Sequence, residues 1–407
     1  MGSDTPHILT INVGSSSIKF ALFTVGVGLK RVFEGAINQI GQSGSALQVQ
    51  GAAEADTPVV PVIAPDLDAA VIVLMDWIET RIAAETLAAI GHRVVHGGPN
   101  YSAPRRATPE MVEELRRFTA FDLQHLPQEI SLIDAFAQRF PEVPQVACFD
   151  TAFFHDLPRV ARQLPIPRQF EAKGVRRYGF HGLSYEFLSR ELARQAGAKA
   201  ANSRVILAHL GNGVSLAALH HGKPIDTSMG FTPAAGVPMG TRSGDLDPGL
   251  ALYFSRTESM GAVQFNNMVN FQSGLLGMSE ISSDVRLLLE REATDVRAAE
   301  ALAVFCYQIR KWIGAFAAAL GGLDQLVFAG GVGENSPLIR ARICKGLEFL
   351  GIDLDDARNS QSAPLISLGD GGVKVRVIPT DEEVMIATLV AQFLDNNWAK
   401  GRSQSAP

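Results

Sequence analysis

Two short polar turns, each held between runs of strand-forming residues, constrain this chain more than any other feature. The first is Asn12-Val-Gly-Ser-Ser-Ser17, between His7–Val13 and Ile18–Phe23. The second is Gly211-Asn-Gly-Val-Ser215, between Arg204–His209 and Val214–His220. Each pair of runs is a predicted hairpin with a polar tip. Each half then carries helical patterns and later strands that end in Asp, Gly or Glu. The rhyme predicts a duplicated α/β unit with a cleft between the copies, where ligands of open α/β sheets bind. A length of 407 residues exceeds one ordinary core and agrees with two domains.

The elements between these hairpins follow from periodicity and punctuation. Helical spacing runs from Asp66 to Ile90 and precedes a strand over His92–Val95. Pro109 opens a helix at a favourable first-turn position, and a second helix covers Gln128–Phe140. A strand over Gln145–Phe149 delivers Asp150 at its end. Ser184 is the expected cap of a helix to Gln195. Helices are predicted near 247–256, 261–270 and 296–320. A strand over Gln325–Phe328 ends in a glycine-rich turn, with Asn335 or Ser336 as the next cap. A strand over Lys374–Ile378 leads to a last helix, Glu382–Leu394, while residues 41–58 are loop or weak edge strands.

Several functions are disfavoured at once. The net charge is −6 and no Lys/Arg-rich run exists, so nucleic acid and anionic membranes are poor partners. The polar N-terminus lacks a signal-type apolar run. The most apolar helical stretch, Trp312–Leu323, falls short of the ~20 residues a membrane span needs. A cytoplasmic protein is expected. Cys148, Cys306 and Cys344 are widely spaced and odd in number, which suits buried thiols in a reducing compartment rather than disulfides or zinc.

The segment Asp226–Gly249 holds five glycines, three prolines, three aspartates and a single cation, Arg242. Pro and Gly fix unusual backbone angles, so this is a long loop with a demanded shape. A lone Arg among backbone N–H groups, Thr and Ser suits a tetrahedral oxyanion, although an ordered surface loop would share the composition.

Other clusters carry chemistry of the same kind. Gly14 and the serines offer an anion backbone and hydroxyl donors, Lys19 follows on the return strand, and Asn12 can hold a metal-bound water. A plain hairpin whose serines satisfy their own backbone has the same sequence. His209-Leu-Gly-Asn-Gly213 is a second candidate phosphate turn or a tight structural one. Gly330-Gly-Val-Gly-Glu-Asn335 lies between strand and helix, where an anion is favoured. It departs from G-x-G-x-x-G only at Ser336, and Asp353 and Asp355 follow, so a nucleotide-dependent oxidoreductase stands as a rival. No GxxxxGK[ST] is present, which disfavours a P-loop enzyme. Asp150, Glu382 and Glu383 sit where strands end, suited to Mg²⁺ shared with phosphates, although a first-turn Glu pair also complements a helix dipole. Arg93, His181 between glycines, and Arg242 supply charges for a carboxylate and a transferring phosphoryl group, with His125 in a weaker context.

Seven stretches together resemble the acetokinase family, in the family's order and over nearly the whole chain. They are Asn12-Val-Gly-Ser-Ser-Ser-Ile-Lys, His92-Arg-Val-Val-His-Gly-Gly, Phe149-Asp-Thr-Ala-Phe, Arg177-Tyr-Gly-Phe-His-Gly, His209-Leu-Gly-Asn-Gly, Gly240-Thr-Arg-Ser-Gly-Asp-Leu-Asp-Pro-Gly and Gly330-Gly-Val-Gly-Glu-Asn. The resemblance implies the duplicated actin, hexokinase and Hsp70-like fold, of ribonuclease H-like type, with an interdomain cleft and a homodimer. It implies reversible transfer of the ATP γ-phosphoryl group to acetate, giving an acyl phosphate and ADP. Residues 1–150 with 384–407 would form the acyl and metal side; residues 151–383 would bind ATP and dimerise.

By position, Asn12 and Glu382 would bind Mg²⁺ or Mn²⁺. Ser15, Ser17 and Lys19 would join His209, Leu210, Gly211, Asn212, Gly213, Asp284, Val285, Arg286, Gly331, Val332, Gly333, Glu334 and Asn335 in holding the nucleotide. Arg93 would hold the substrate carboxylate, with His125, and Val95, Phe180 and Pro233 would line the acyl pocket. Asp150 would be the catalytic acid/base, and His181 and Arg242 would stabilise the transition state. Acetate is already deprotonated at neutral pH, so Asp150 is expected to orient Arg93 or the metal rather than take a proton. One departure stands out: where the family usually has Leu-His-Asn-Pro, this chain has Gln124-His125-Leu126-Pro127. The polar Gln124 touches the expected pocket; acetate and then propionate are the expected acids. A non-catalytic nucleotide-gated protein of the same fold would lack Arg93, Asp150, His181 or Arg242, and all four are present.

Overall fold

A computed structural model describes residues 5–14, 16–26, 28–51, 59–369 and 372–404. Ser15 and residues 52–58 of the glycine-rich stretch lie outside them. The chain divides into a first unit, Met1–Phe153 with Asp381–Pro407, and a second, Phe154–Thr380.

In the first unit the strands are β1 (His7–Val13), β2 (Ile18–Gly26), β3 (Gly28–Asn38), β4 (Ala46–Gly51), β5 (Val60–Pro61), β6 (Leu87–Val94), β7 (Arg105–Arg106) and β8 (Gln145–Phe149). They form one eight-stranded sheet in the order β5-β4-β3-β2-β1-β6-β8-β7. The second unit carries β9 (Val205–Leu210), β10 (Val214–His220), β11 (Lys223–Thr227), β12 (Gln325–Ala329) and β13 (Lys374–Val377), ordered β11-β10-β9-β12-β13.

The two sheets share a plan. β1, β2 and β3 form an antiparallel meander, then β6 and β8 join parallel to β1. β9, β10 and β11 repeat the meander, and β12 and β13 join parallel to β9. Duplication weak in residues is thus plain in topology. Parallel strands share a carboxyl edge, so in the first unit the Asn12 turn, Arg93–Val95 and Asp150 come to one edge. In the second unit His209–Gly213 and Gly330–Asn335 do the same, with His209 opposite Ala329.

Each sheet is covered by helices. In the first unit Leu67–Glu79 and Leu126–Arg139 bury Leu74, Ile78, Leu132 and Phe136 with Leu9, Phe20 and Leu22. The terminal helix Glu382–Gln404 packs on β1 and β6. It lies so close that a Cβ on Gly91 would stand 2.7 Å from methyl groups of Ile386 and Val390. In the second unit the long helix Val296–Leu320 packs on β9 and β10.

Several boundaries differ from the expectation, each for a local reason. Helical spacing predicts one helix to Ile90, but the helix stops at Glu79 and β6 begins at Leu87. A parallel strand buried on both faces has no alternation, so Leu-Ala-Ala-Ile resembles a helix in sequence. β3 escapes prediction because a bulge between Leu22 and Phe23 shifts its pairing and breaks the two-residue period. Ser184 is inside the helix Gly182–Ala196, whose cap is His181. The last helix continues past Leu394 to Gln404. All three cysteines are free and buried, and burial pushes the thiols of Cys306 and Cys344 up to about 11 and about 12. Among the described residues no helix is long and apolar enough to cross a membrane.

Candidate active site

In the first unit Arg93 is the hub. It leaves β6 with its side chain only 13% exposed, against Asp150, which is fully buried at the end of β8. Nη2 and Nε donate to Asp150 Oδ2 at 2.7 and 3.2 Å. Nη1 donates to Asn12 Oδ1 and the Val13 carbonyl, both at 3.3 Å, and Nε lies 3.8 Å from Glu382. Burial alone would lower the Arg93 pKa, but Asp150 and then Glu382 outweigh it and hold the group above its usual value. A guanidinium fixed this way is permanently charged and keeps its planar fork in place.

Asn12 ties this cation to a carboxylate pair. Its Nδ2 donates to Glu382 Oε2 at 3.0 Å and to Glu383 Oε1 at 3.1 Å. Burial and the neighbouring Glu382 raise the Glu383 pKa, opposed by Lys19. Two crowded carboxylates are hard-oxygen donors, the chemistry Mg²⁺ selects, whereas the Asn12 amide turns its nitrogen toward them and its oxygen toward Arg93. Among the described residues no group of three or more His, Cys, Asp and Glu forms a closed metal cage. Mg²⁺ typically takes one or two carboxylates and fills its remaining positions with water and phosphate oxygens. Lys19, on β2 directly opposite Asn12, is exposed, and the Ser17 carbonyl accepts from Gly14.

The acyl-side residues form a second group in the same unit. Val95 is buried, and His125 leans on Asp122, its Nδ1 3.1 Å from both carboxylate oxygens. Asp122 also caps the amides of Gln124 and His125. Burial pushes the Asp122 carboxyl upward, but His125 and these amides hold it below its ordinary value. Gln124 is half-buried.

In the second unit His181 adopts the left-handed conformation, with φ at 59°. A non-glycine residue held there is strained, and such strain gathers at functional sites. Its Nδ1 lies 2.9 Å from Ser215 Oγ, and its ring stacks on His209 with centroids 4.3 Å apart. His209 Nδ1 in turn meets Ser184 Oγ at 2.9 Å, and Ser184 meets Thr380. A Cβ on Gly213 would stand 3.0 Å from His181 Nε2 and 3.6 Å from Arg242 Nη1. The turn, the imidazole and the guanidinium therefore converge, and glycine leaves the room between them.

Backbone bonds shape the loop that carries Arg242. Gly236 N–H donates to Asp245, and Asp245 N–H to the Gly236 carbonyl. Met239 N–H donates to the Arg242 carbonyl and Gly240 N–H to Asn212, fastening the loop to the His209–Gly213 turn. Arg242 Nη1 lies 3.4 Å from the Pro233 carbonyl. Arg177 directs Nη1 at the carbonyls of Thr227, Ser228 and Met229, so it braces the loop rather than facing a ligand. Phe180 and Pro233 are buried in this unit.

The third turn differs from its expected form. Residues Gly330–Asn335 are a six-residue helix, separate from the helix Pro337–Cys344. Gly330 has φ 75°, and a Cβ there would stand 2.8 Å from the Leu210 backbone. Glu334 uses Oε1 to accept from Gly330 N–H and Thr380 N–H, and buried Arg340 clamps the carbonyls of Gly333 and Glu334. Glu334 thus has a structural task that its motif hides. Asn335 donates to Gly331 O, Gly331 and Val332 lie at the helix start, and Gly333 is buried. Asp284 caps the helix Val285–Arg291 and pairs with exposed Arg286 at 2.6 Å. Val285 is buried, as is Leu210, while Gly211 donates to Gly213.

Sequence reasoning missed Asp122 and Glu129, and it missed the contacts of Ser184 with His209 and of Ser215 with His181. Asp122 alone carried a local sign, a carboxylate a few residues before a Pro-marked helix start.

The sequence matches the acetokinase family over residues 7–388. The chain belongs to the acetokinase family. Acetate kinase of Rhodopseudomonas palustris is 44% identical over 395 residues, covering 95% of this chain and 98% of that protein. Propionate kinase of Citrobacter rodentium is 42% identical over 385 residues, covering 93% and 95%. In structure, Porphyromonas gingivalis acetate kinase superposes with a TM-score of 0.85 at 36% identity, covering 96% of this chain and all of that one. Francisella tularensis propionate kinase gives 0.87 at 35% identity, covering 94% and 98%. As an acetokinase family member the chain is a phosphotransferase with a carboxyl acceptor, built on the actin and hexokinase-like fold. The oxidoreductase alternative falls with this match, since a meander opens the sheet that holds Gly330–Asn335.

Proposed function

We propose that the chain moves the γ-phosphoryl group of ATP to acetate, reversibly and with Mg²⁺, and accepts propionate as its second acid. The observation that carries this reading is Arg93, a buried guanidinium fixed by Asp150 and Asn12 at the edge where Val95 and Glu382 also stand. Such a group suits a small carboxylate, and the apolar Val95 beside it suits a short alkyl tail.

Phosphoryl transfer to a carboxylate brings like charges together, so catalysis rests on positioning and charge neutralisation. Arg93 would hold the attacking carboxylate, with His125 beside it. Asp150 would fix the Arg93 fork rather than remove a proton. Asn12 and Glu382, with Glu383 adjoining, would hold Mg²⁺, which when bound would neutralise charge on the phosphates. The turns at His209–Gly213 and Gly331–Asn335, with Asp284–Arg286 and with Ser17 and Lys19 on the first hairpin, would hold ATP. His181 and Arg242 would meet the charge that spreads over the transferring group. The exposed apolar side chains Leu252, Tyr253, Val263 and Tyr307 of the second unit offer surface for a homodimer.

The acid preference tests the pocket. Acyl phosphate trapped as hydroxamate should give kcat/KM in the order acetate, propionate, butyrate, each added methylene costing about 1–3 kcal/mol where Val95 crowds the tail. Butyrate ahead of acetate would contradict it.

A further inference from the structure

We propose that Glu129 is a positioning residue for the acyl side of this site, its buried carboxyl holding the Val95 amide and, through it, the strand end that carries Arg93. The proposal rests on the reading of Arg93 and Val95 as the acid-binding residues. Glu129 lies in the first turn of the helix Leu126–Arg139 and is 2% exposed. Val95 N–H donates to its Oε2 at 2.9 Å. Oε1 is buried with no hydrogen-bond partner among the described residues. A surface-loving side chain has been taken inside to make one bond, to the backbone two residues beyond Arg93.

The surroundings decide its protonation state. From β6 it faces Arg93, and from beyond β8, Asp150. From the turn before its own helix comes Asp122, which holds the ring of His125, and His96 follows Val95 in the chain. Two carboxylates and one guanidinium already paired to Asp150 leave little to stabilise a third negative charge. An ionised Glu129 would also strand Oε1 without a donor, a costly state for a buried charge. Burial, helped by Asp122 and Asp150 and opposed by Arg93 and the Val95 amide, lifts the carboxyl from 4.5 to about 8. Glu129 therefore carries a proton at neutral pH, holding the amide without placing a negative charge where a carboxylate substrate must bind.

The sign of the linkage follows. Unfolded, the group ionises near 4.5; folded, it keeps its proton to about 8. Its contribution is complete below 4.5 and is lost as pH rises toward 8.

Glu129→Gln and Glu129→Leu test this, each read by thermal melting and by acid kinetics. Glu129→Gln keeps an acceptor for the Val95 amide and never ionises. It should melt with a flatter decline between pH 5 and 8 than the parent, and should lack the rise in acetate KM above pH 8 that the proposal predicts for the parent. Glu129→Leu, without the acceptor, should raise the acetate KM about five- to tenfold at pH 7, the worth of one buried hydrogen bond, with a smaller change in kcat. Melting that tracks the parent's slope in Glu129→Gln would overturn the proposal, and so would a parental acetate KM in Glu129→Leu. The melting arm needs no substrate, so it separates failure of this inference from failure of the acetate reading. If Glu129→Leu does not fold, Glu129→Gln still decides the matter.

Discussion

Arg242→Ala lowers kcat by about 10³- to 10⁵-fold, the range over which an arginine that stabilises the phosphoryl-transfer state acts. The acetate KM moves far less, because the proposed contact strengthens as charge spreads over the transferring group rather than in the ground state. The loop should keep its shape in the variant. Its form comes from the exchange between Gly236 and Asp245, the Met239–Arg242 backbone bond and the Arg177 brace, none of which needs the Arg242 side chain. Thermal melting close to the parent's, beside a collapsed kcat, is the expected pair of results. Arg242→Lys should recover only part of the loss, since an ammonium restores charge but not the fork. An Arg242→Ala enzyme with parental kcat would remove Arg242 from the chemistry.

Arg93→Ala has the second large effect, on both binding and stability. It takes the guanidinium from Asp150, a fully buried carboxylate, and breaking such a pair typically costs about 3–5 kcal/mol. The urea midpoint should fall accordingly, and the acetate KM should rise steeply. Asp150→Asn distinguishes two roles for the carboxylate. If Asp150 orients Arg93, the loss appears in the KM for acetate or Mg²⁺; a loss confined to kcat would instead make Asp150 a proton-transfer group. In Arg93→Ala/Asp150→Asn the stability loss should be smaller than the sum of the single losses, because neither variant's orphaned charge remains. Strict additivity would mean the 2.7 Å contact carries no coupling.

The parts of the site that a motif spells out were legible in sequence, and those made by packing were not. The repeated hairpin turns predict duplication, and both sheets contain a meander joined on one side by two parallel strands. β3 stayed hidden because its bulge breaks the period on which strand prediction depends. The convergence of His181, Gly213 and Arg242 is implied only by the family resemblance; no local pattern encodes the left-handed histidine found there. Glu334 lies within a nucleotide-type motif, yet its carboxylate serves two backbone amides, Gly330 in its own turn and the distant Thr380. Glu129 shows the converse. In sequence it is an ordinary first-turn acid that complements a helix dipole; only the fold reveals its burial and its bond to Val95.

The most direct measurement is trapping the product with hydroxylamine. Protein incubated with ATP, Mg²⁺ and acetate should accumulate acetohydroxamate in step with ADP, and Arg242→Ala should abolish both signals together. ADP release without hydroxamate from acetate, propionate or butyrate would contradict carboxylate phosphorylation as this chain's reaction.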